Sequence, residues 1–390
     1  MPPVILDLTC LCEGHTNSAL DAIYKAVGED PPDIWEEHPN PFIRRMIEIF
    51  THRGLMRMDG MRDEMAKWLV GDMHQASATR PPRPVGAMER WSAAELGLVK
   101  LYLETLPASE FLVDDWMMLV DYLSQRYLPA SDLRTEAEWL ATRANLMGRV
   151  QAAMGDVSAP DADRLLAALP VSAAAADAAW NMTVTQRALL DYGNARCVEN
   201  VVALSDTVRH RMRNLILDYQ GAQVLGDRTK TAESLQTQLL DSFGLSNRDW
   251  RRIAVTEAGE NLNQGMISSL SAGSRVKRVE KYRGACGFCR LIDGRVVTIV
   301  EPSAPKLDGE TQIWAGKTNI GRSASPMKRV AGGLVEREPR ERWWIAAGVM
   351  HPNCRGSWVL ISEPTRRADP KFSAWMDEVL GRSVVGDVDG

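Results

Sequence analysis

Residues 183–219 read TVTQRALLDYGNARCVENVVALSDTVRHRMRNLILDY and form the longest periodic stretch of the chain. Val201, Leu204, Val208, Met212, Leu215 and Tyr219 recur at three- and four-residue steps, the spacing of one face of an α-helix. Thr183 with Gln186 three residues on is a capping-box start, because each side chain can bond the other's backbone N–H. Gly221 and Gly226 loosen the far end. Cys197, inside the helix, is expected as a small core residue.

Working outward, the chain upstream also reads as helices. Ser92 with Glu95 opens a second capping box for a helix to about Leu106, and helices follow near 113–127 and 131–154. An Ala-rich pair spans about 161–180 with Pro170 between its members. Residues before the Arg80-Pro-Pro-Arg-Pro84 linker read as short helices, broken at 28–32 and 39–41, with helical spacing over 61–73. Downstream, a helix over 229–242 is expected to stop at Gly244, and Ser246 with Asp249 to cap another.

The texture changes at Ser271. Segments 276–282, 295–300 and 356–362 are rich in β-branched residues between Gly and Pro, as strands are. A loop over 302–342 separates them, too long for a compact domain unless it is functional or tied down. A last helix is expected over 371–380, before a short tail. The expected fold is mostly α, a helical N-terminal body followed by a small, zinc-stapled α+β C-terminal domain. The segments are 1–80, 85–225, 229–362 and 363–390.

Composition sets bounds on what this can be. At 390 residues, two or three cores are expected, and 45% hydrophobic with 25% charged residues is globular. The 12 Trp and 18 Met suit cores and also surfaces that pack on a partner. The N-terminus lacks a basic region and a long apolar run, and no stretch approaches 18 apolar residues, so a soluble protein made in a cytoplasm is expected. Residues 273–362 hold 16 Lys and Arg against 8 Asp and Glu, so they carry +8; with a net charge of −5, the remainder carries −13. Such a basic segment is compatible with nucleic acid nearby, and equally with a small domain solvated by its cations.

Six cysteines do not make a disulfide scaffold, and four of them fall in two close pairs, the pattern of metal binding in a reducing compartment. Cys286-Gly-Phe-Cys289 and His351-Pro-Asn-Cys354 are two short ligand pairs 61 residues apart. Three thiolates and an imidazole make a closed tetrahedral set that favours one structural Zn²⁺ over Mg²⁺ or Ca²⁺. The bland reading is unrelated thiols and a surface His; a redox CxxC lacks its βαβ context here. Cys10, Cys12 and His15 offer three ligands without a fourth, a weak second site. Gly316-Lys317-Thr318 fails as a phosphate loop, since Thr311 stands where its first Gly must be. Thr256 and Glu257, near Arg251 and Arg252, read as the solvated face of an amphipathic helix.

The order of these pieces resembles the Mu F-like family of tailed-phage minor head proteins. Residues 251–257 (RRIAVTE) come first, then CGFC at 286–289 with LIDG at 291–294, WAGKTNIGR at 314–322 and HPNCR at 351–355. The resemblance covers about a third of the chain. Family members often carry a second Cys after the Arg, where Gly356 stands here, which leaves four ligands. The resemblance implies a structural, non-enzymatic virion protein. It would be made in the host cytoplasm and would act at the head interior or portal vertex in head assembly, genome packaging or DNA delivery. Implied partners are the portal protein, the major capsid protein and packaged DNA, with no membrane. The competing class is a toxin-like nuclease or transferase using Glu257, His351 or Arg322. A sequence-specific DNA binder ranks lower, because no recognition helix rich in Arg and Asn is visible.

Overall fold

The computed structural model describes residues 37–75, 81–84, 91–155, 157–282, 284–304, 308–330, 333–361 and 369–381. The Cys10, Cys12 and His15 set and the break at 28–32 lie outside them. Helices α1 (Pro41–Val70), α2 (Ala93–Glu104), α3 (Val113–Tyr127) and α4 (Ala130–Met154) come first. Then follow α5 (Ala159–Ala168), α6 (Ala173–Ala179), α7 (Val184–Val224) and α8 (Ala232–Ser269). The strands are β1 (Arg275–Val279), β2 (Val296–Ile299), β3 (Gln312–Ile313), β4 (Met327–Val330), β5 (Gly333–Glu336) and β6 (Ser357–Leu360). A short helix α9 (Gly287–Ile292) joins β1 to β2, and α10 (Pro370–Leu380) follows β6. The chain is mostly helical with a small C-terminal region of strands. None of the described helices is long and apolar enough to cross a membrane.

Local chemistry explains the helix starts. Gln186 N donates to Thr183 Oγ1 at 3.2 Å and Thr183 N to Gln186 Oε1 at 3.0 Å, the reciprocal cap that opens α7. Ser92 and Glu95 do the same for α2. The buried stripe of α7 runs Val201, Leu204, Val208, Met212 and Ile216, whereas Leu215 and Tyr219 are half-buried. Cys197 is buried, as a core thiol should be. So are Trp68, Trp116, Trp139, Trp180, Trp250 and Trp358, so these indoles serve cores.

Two helices are longer than expected. Instead of short pieces, α1 is a single helix of 30 residues. Asn40 caps it, accepting from Phe42 N at 3.0 Å and Ile43 N at 3.4 Å. Pro41 takes the first turn, where a missing N–H costs nothing. Likewise α8 is one helix of 38 residues that passes through Gly244 and Ser246. Ser246 Oγ donates back to Ser242 O at 2.9 Å instead of capping a new helix. Burial of Phe243 and Trp250 outweighs the roughly 1 kcal/mol that a mid-helix Gly costs.

Two compact units are assembled from interleaved stretches, and they divide within α1, α4, α7 and α8. Of the described residues, unit 1 takes Thr51–Thr135 and Glu199–Trp250; unit 2 takes 37–50, Glu136–Val198 and those from Arg251 on. Within unit 1, Phe111 bridges Trp68 and Trp116 at ring distances of 6.2 and 4.9 Å. Its fully buried Asp121 is held by Arg209 at 3.6 Å and by Arg213.

Unit 2 holds the sheet, in the order β3-β2-β1-β6. β1 is antiparallel to both neighbours, pairing Val276 with Val297 on one side and Leu360 on the other; β2 and β3 run parallel. Val276, Val297, Ile299, Ile313 and Trp358 build its core together with Met266 and Ile267 from α8. In the same unit α4 and α8 approach through glycine. A Cβ on Gly148 would overlap the Leu262 carbonyl oxygen, and one on Gly265 that of Asn145.

His38, also in unit 2, is 2% exposed, and its Nδ1 accepts from Asn40 N at 3.1 Å. Burial, then the Arg355 charge, pushes its pKa down to about 3 from 6.5. The folded chain therefore binds this proton less tightly than the unfolded chain. Stability is full above about pH 6.5 and falls as pH drops toward about 3, by on the order of 4 kcal/mol. Denaturant titrations of wild type and His38→Gln across that window should diverge progressively toward acid. Parallel curves would show that His38 carries none of the acid sensitivity.

Candidate metal centre

The two ligand pairs of unit 2 sit on two different kinds of turn. After β1 the chain turns into α9, and Cys286 is the N-cap of that helix in extended backbone. Its Sγ accepts from Cys289 N at 3.4 Å, so the turn brings both sulfurs to one side. At the other pair, Cys354 N donates to His351 O at 3.1 Å. Asn353 takes φ 64°, a left-handed conformation that Asn tolerates better than most residues.

α8 pins the second turn at three points. Thr256 Oγ1 accepts from Asn353 N at 2.8 Å, Glu260 Oε2 from Val349 N at 2.6 Å, and Asn263 Nδ2 donates to Gly356 O at 2.9 Å. This corrects the expectation of a solvated helix face. Glu257 is 2% exposed and accepts two bonds from Arg196, at 2.6 and 3.1 Å. Arg251 is buried too, while Arg252 is exposed. The polar residues of this helix face inward because the loops packed on it bring backbone groups that need partners.

Cys286, Cys289, His351 and Cys354 lie together as a candidate metal site. His351 Nε2 is 3.3 Å from Cys286 Sγ and 3.2 Å from Cys289 Sγ, and the Cys289 and Cys354 sulfurs are 4.0 Å apart. Four donors around one tetrahedral ion would stand about 3.6 Å apart for S···N and about 3.8 Å for S···S. The Cys286, Cys289 and His351 separations suit a shared ion, whereas Cys354 stands close to Cys289 but not to the other two and must swing toward them to complete the set. His351 Nδ1 donates to Pro352 O at 2.8 Å, which leaves the Nε2 lone pair facing the sulfurs. Trp343 stacks on the imidazole at 5.4 Å and fixes its plane.

No family model, curated protein or solved structure matches this chain.

The centre contains residues that the sequence reading missed. Donor atoms fall into two overlapping triads that share Cys289: Cys286, Cys289 and His351, and Glu280, Cys289 and Cys354. Both Glu280 carboxylate oxygens are 3.8 Å from Cys354 Sγ, and Arg278 Nη2 donates to that sulfur at 3.7 Å. Arg278 and Glu280 pair at 2.7 Å, both fully buried. The readable signal was the Val276-x-Arg278-x-Glu280 alternation, which places both charges on the buried face of one strand. The pair also accounts for Gly356, because a Cβ there would overlap the Glu280 carboxylate.

Charge is shared unevenly among the thiols. Burial pushes Cys354 up, but the bond from the Cys289 thiol and the Arg278 guanidinium outweigh it and hold Cys354 well below the usual thiol range. Cys289 is raised, by its bond to Cys354 first and burial second.

The long loop of the sequence is tied down. Lys317 is 1% exposed, and its Nζ donates to Gly309 O at 2.7 Å and Gln312 O at 2.8 Å. It sits between Trp314 and Trp344 at 4.6 and 4.8 Å, so it cannot meet a phosphate. Asn319 Nδ2 donates to Trp344 O and Met350 O at 3.0 and 3.2 Å, just ahead of His351. Arg322 lies 3.6 Å over the Trp344 ring. With Arg278, Lys317 and Arg355 buried, the cationic excess at the surface of this region is smaller than its composition implies.

Proposed function

We propose that Cys286, Cys289, His351 and Cys354 bind one Zn²⁺ as a structural staple in a minor head protein of the Mu F-like kind. The four-donor set at the two ends of a tied loop carries this reading. Zn²⁺ takes four N and S ligands tetrahedrally and has no redox chemistry, so when bound it supplies a cross-link and holds no open position for water. Arg278 offsets the negative charge of three thiolates, and the α8 side chains hold the His351–Cys354 turn in place.

The functional half of the proposal rests on the motif order and on how these motifs are used. Thr256, the Asp293-Gly294 turn, Lys317 and Asn319 all hold this small region together, as a structural protein requires. On this reading the chain is built into a phage head at the portal vertex or head interior and contacts the portal, the major capsid protein and packaged DNA. It contributes to assembly, packaging or DNA delivery. The enzyme alternative loses support because Glu257 is spent on Arg196, Arg322 on Trp344, and His351 lies among thiols.

Full-length, metal-loaded chain should co-sediment with purified portal rings and not with unrelated rings of similar size. A fragment ending near residue 225 is unsuitable, because unit 1 needs α8 up to Trp250. Absence of binding to both portal and assembled shells would remove the head-protein reading and leave the metal reading intact.

A further inference from the structure

Arg149, on α4 in unit 2, is 4% exposed, and its buried Nη1 has no hydrogen-bond partner among the described residues. Its plane is held by ring contacts, with Phe372 at 4.6 Å and Trp180 at 5.9 Å. A buried cation without a partner is costly, and native folds rarely keep one unless something completes it. Burial pushes this guanidinium below its ordinary range, with only the more distant charge of Asp369 opposing.

Arg149 lines a cleft of about 710 Å³, within the range of small-molecule sites. The start of α7 lines the same cleft. Its capping box uses Thr183 N and Gln186 N, and the N–H groups of Val184 and Thr185 are left at the positive end of a 41-residue helix. Ile267, Leu270, Ile299, Val300 and Pro302, which are apolar, also line the cleft. Asp369 and Glu301 also border the cleft. Asp369 spends its oxygens on Asn181 N and Lys371 N, at 3.1 and 3.0 Å. Two carboxylates at the border oppose a dianion such as phosphate and leave room for a single negative charge.

We infer that this cleft binds the carboxylate of a small, partly apolar ligand, either a free acid or the end of a peptide. Arg149 is the receiving cation, the α7 N–H groups share the charge, and the apolar wall takes the attached carbon chain. The site is separate from the cysteine cluster and does not depend on the phage reading.

Calorimetric titration of the full chain should use N-acetyl-leucine and a leucine-ended tripeptide, each beside its C-terminal amide, with inorganic phosphate as a fifth probe. Each acid should bind at least about ten-fold more tightly than its amide, and phosphate more weakly than either acid. The tighter of the two acids names the source. Arg149→Met should abolish the preference for acid over amide without lowering the thermal midpoint, because it removes a buried charge that no described carboxylate pairs. Should that variant fail to fold, Arg149→Lys must weaken the preference, since it keeps the charge and loses the fork. Equal binding of acid and amide, no binding of either at about 10 mM, or an unchanged preference in Arg149→Lys would overturn the inference.

Discussion

Replacing Cys286 and Cys354 together by Ser is expected to strip the metal from the chain and loosen everything after residue 271. Elemental analysis should give about one zinc per wild-type chain and none in the double variant. The strands here are short, β3 being two residues long, and the loop between β2 and β6 is tied mainly by single side-chain bonds such as those of Lys317 and Asn319. A structural zinc contributes on the order of 10 kcal/mol to small domains. Its loss should therefore expose the region to protease and lower its unfolding midpoint, while unit 1 keeps its helical signal. Cys197→Ala is the matched control, since that thiol is buried in α7 and belongs to no donor cluster among the described residues. Wild-type protein purified without chelator, folded and free of zinc, would end the staple proposal.

The second large effect is expected at Gly265. An added Cβ would overlap the carbonyl oxygen of Asn145, and backbone cannot swing aside as a side-chain end can. Gly265→Ala should cost about 4 kcal/mol or more, at the extreme of single substitutions, because α4 and α8 must separate along their whole contact. Gly148→Ala should do the same from the other side. Gly244, also in α8, meets nothing within 4 Å, so Gly244→Ala should instead stabilise by about 0.5–1 kcal/mol. Denaturant midpoints of the three variants decide the matter. A Gly265→Ala chain as stable as wild type would mean that the two helices do not approach this closely.

Both effects turn on what a single position meets in three dimensions, and that separates what could be read early from what could not. Helix starts were legible at Ser92 and Thr183 because a capping box is a contact between residues three apart. The break expected at Gly244 failed because propensity is worth about 1 kcal/mol and the burial of neighbouring Phe243 and Trp250 is worth more. The break read at 39–41 holds, since Asn40 caps α1 and Pro41 takes its first turn; what was missed is that the helix continues through Gly54 and Gly60, which lie close against the Trp250 and Tyr127 rings.

The candidate centre divides the same way. Cys286, Cys289, His351 and Cys354 were legible as ligand types at short spacing, since each pair is made by one turn. Sequence alone also determined the helical character of the described residues before Ser271 and the strand-bearing texture after it, because both rest on periodicities of a few residues. Tertiary structure alone decided that Glu257 is a buried ion-pair partner, that Arg278 and Glu280 stand beside Cys354, and that Arg149 Nη1 is left without an acceptor among the described residues. Those are distances between residues tens to hundreds apart in the chain. Whether a polar side chain meets water, a partner or neither is settled by the elements that pack over it, which no local pattern records.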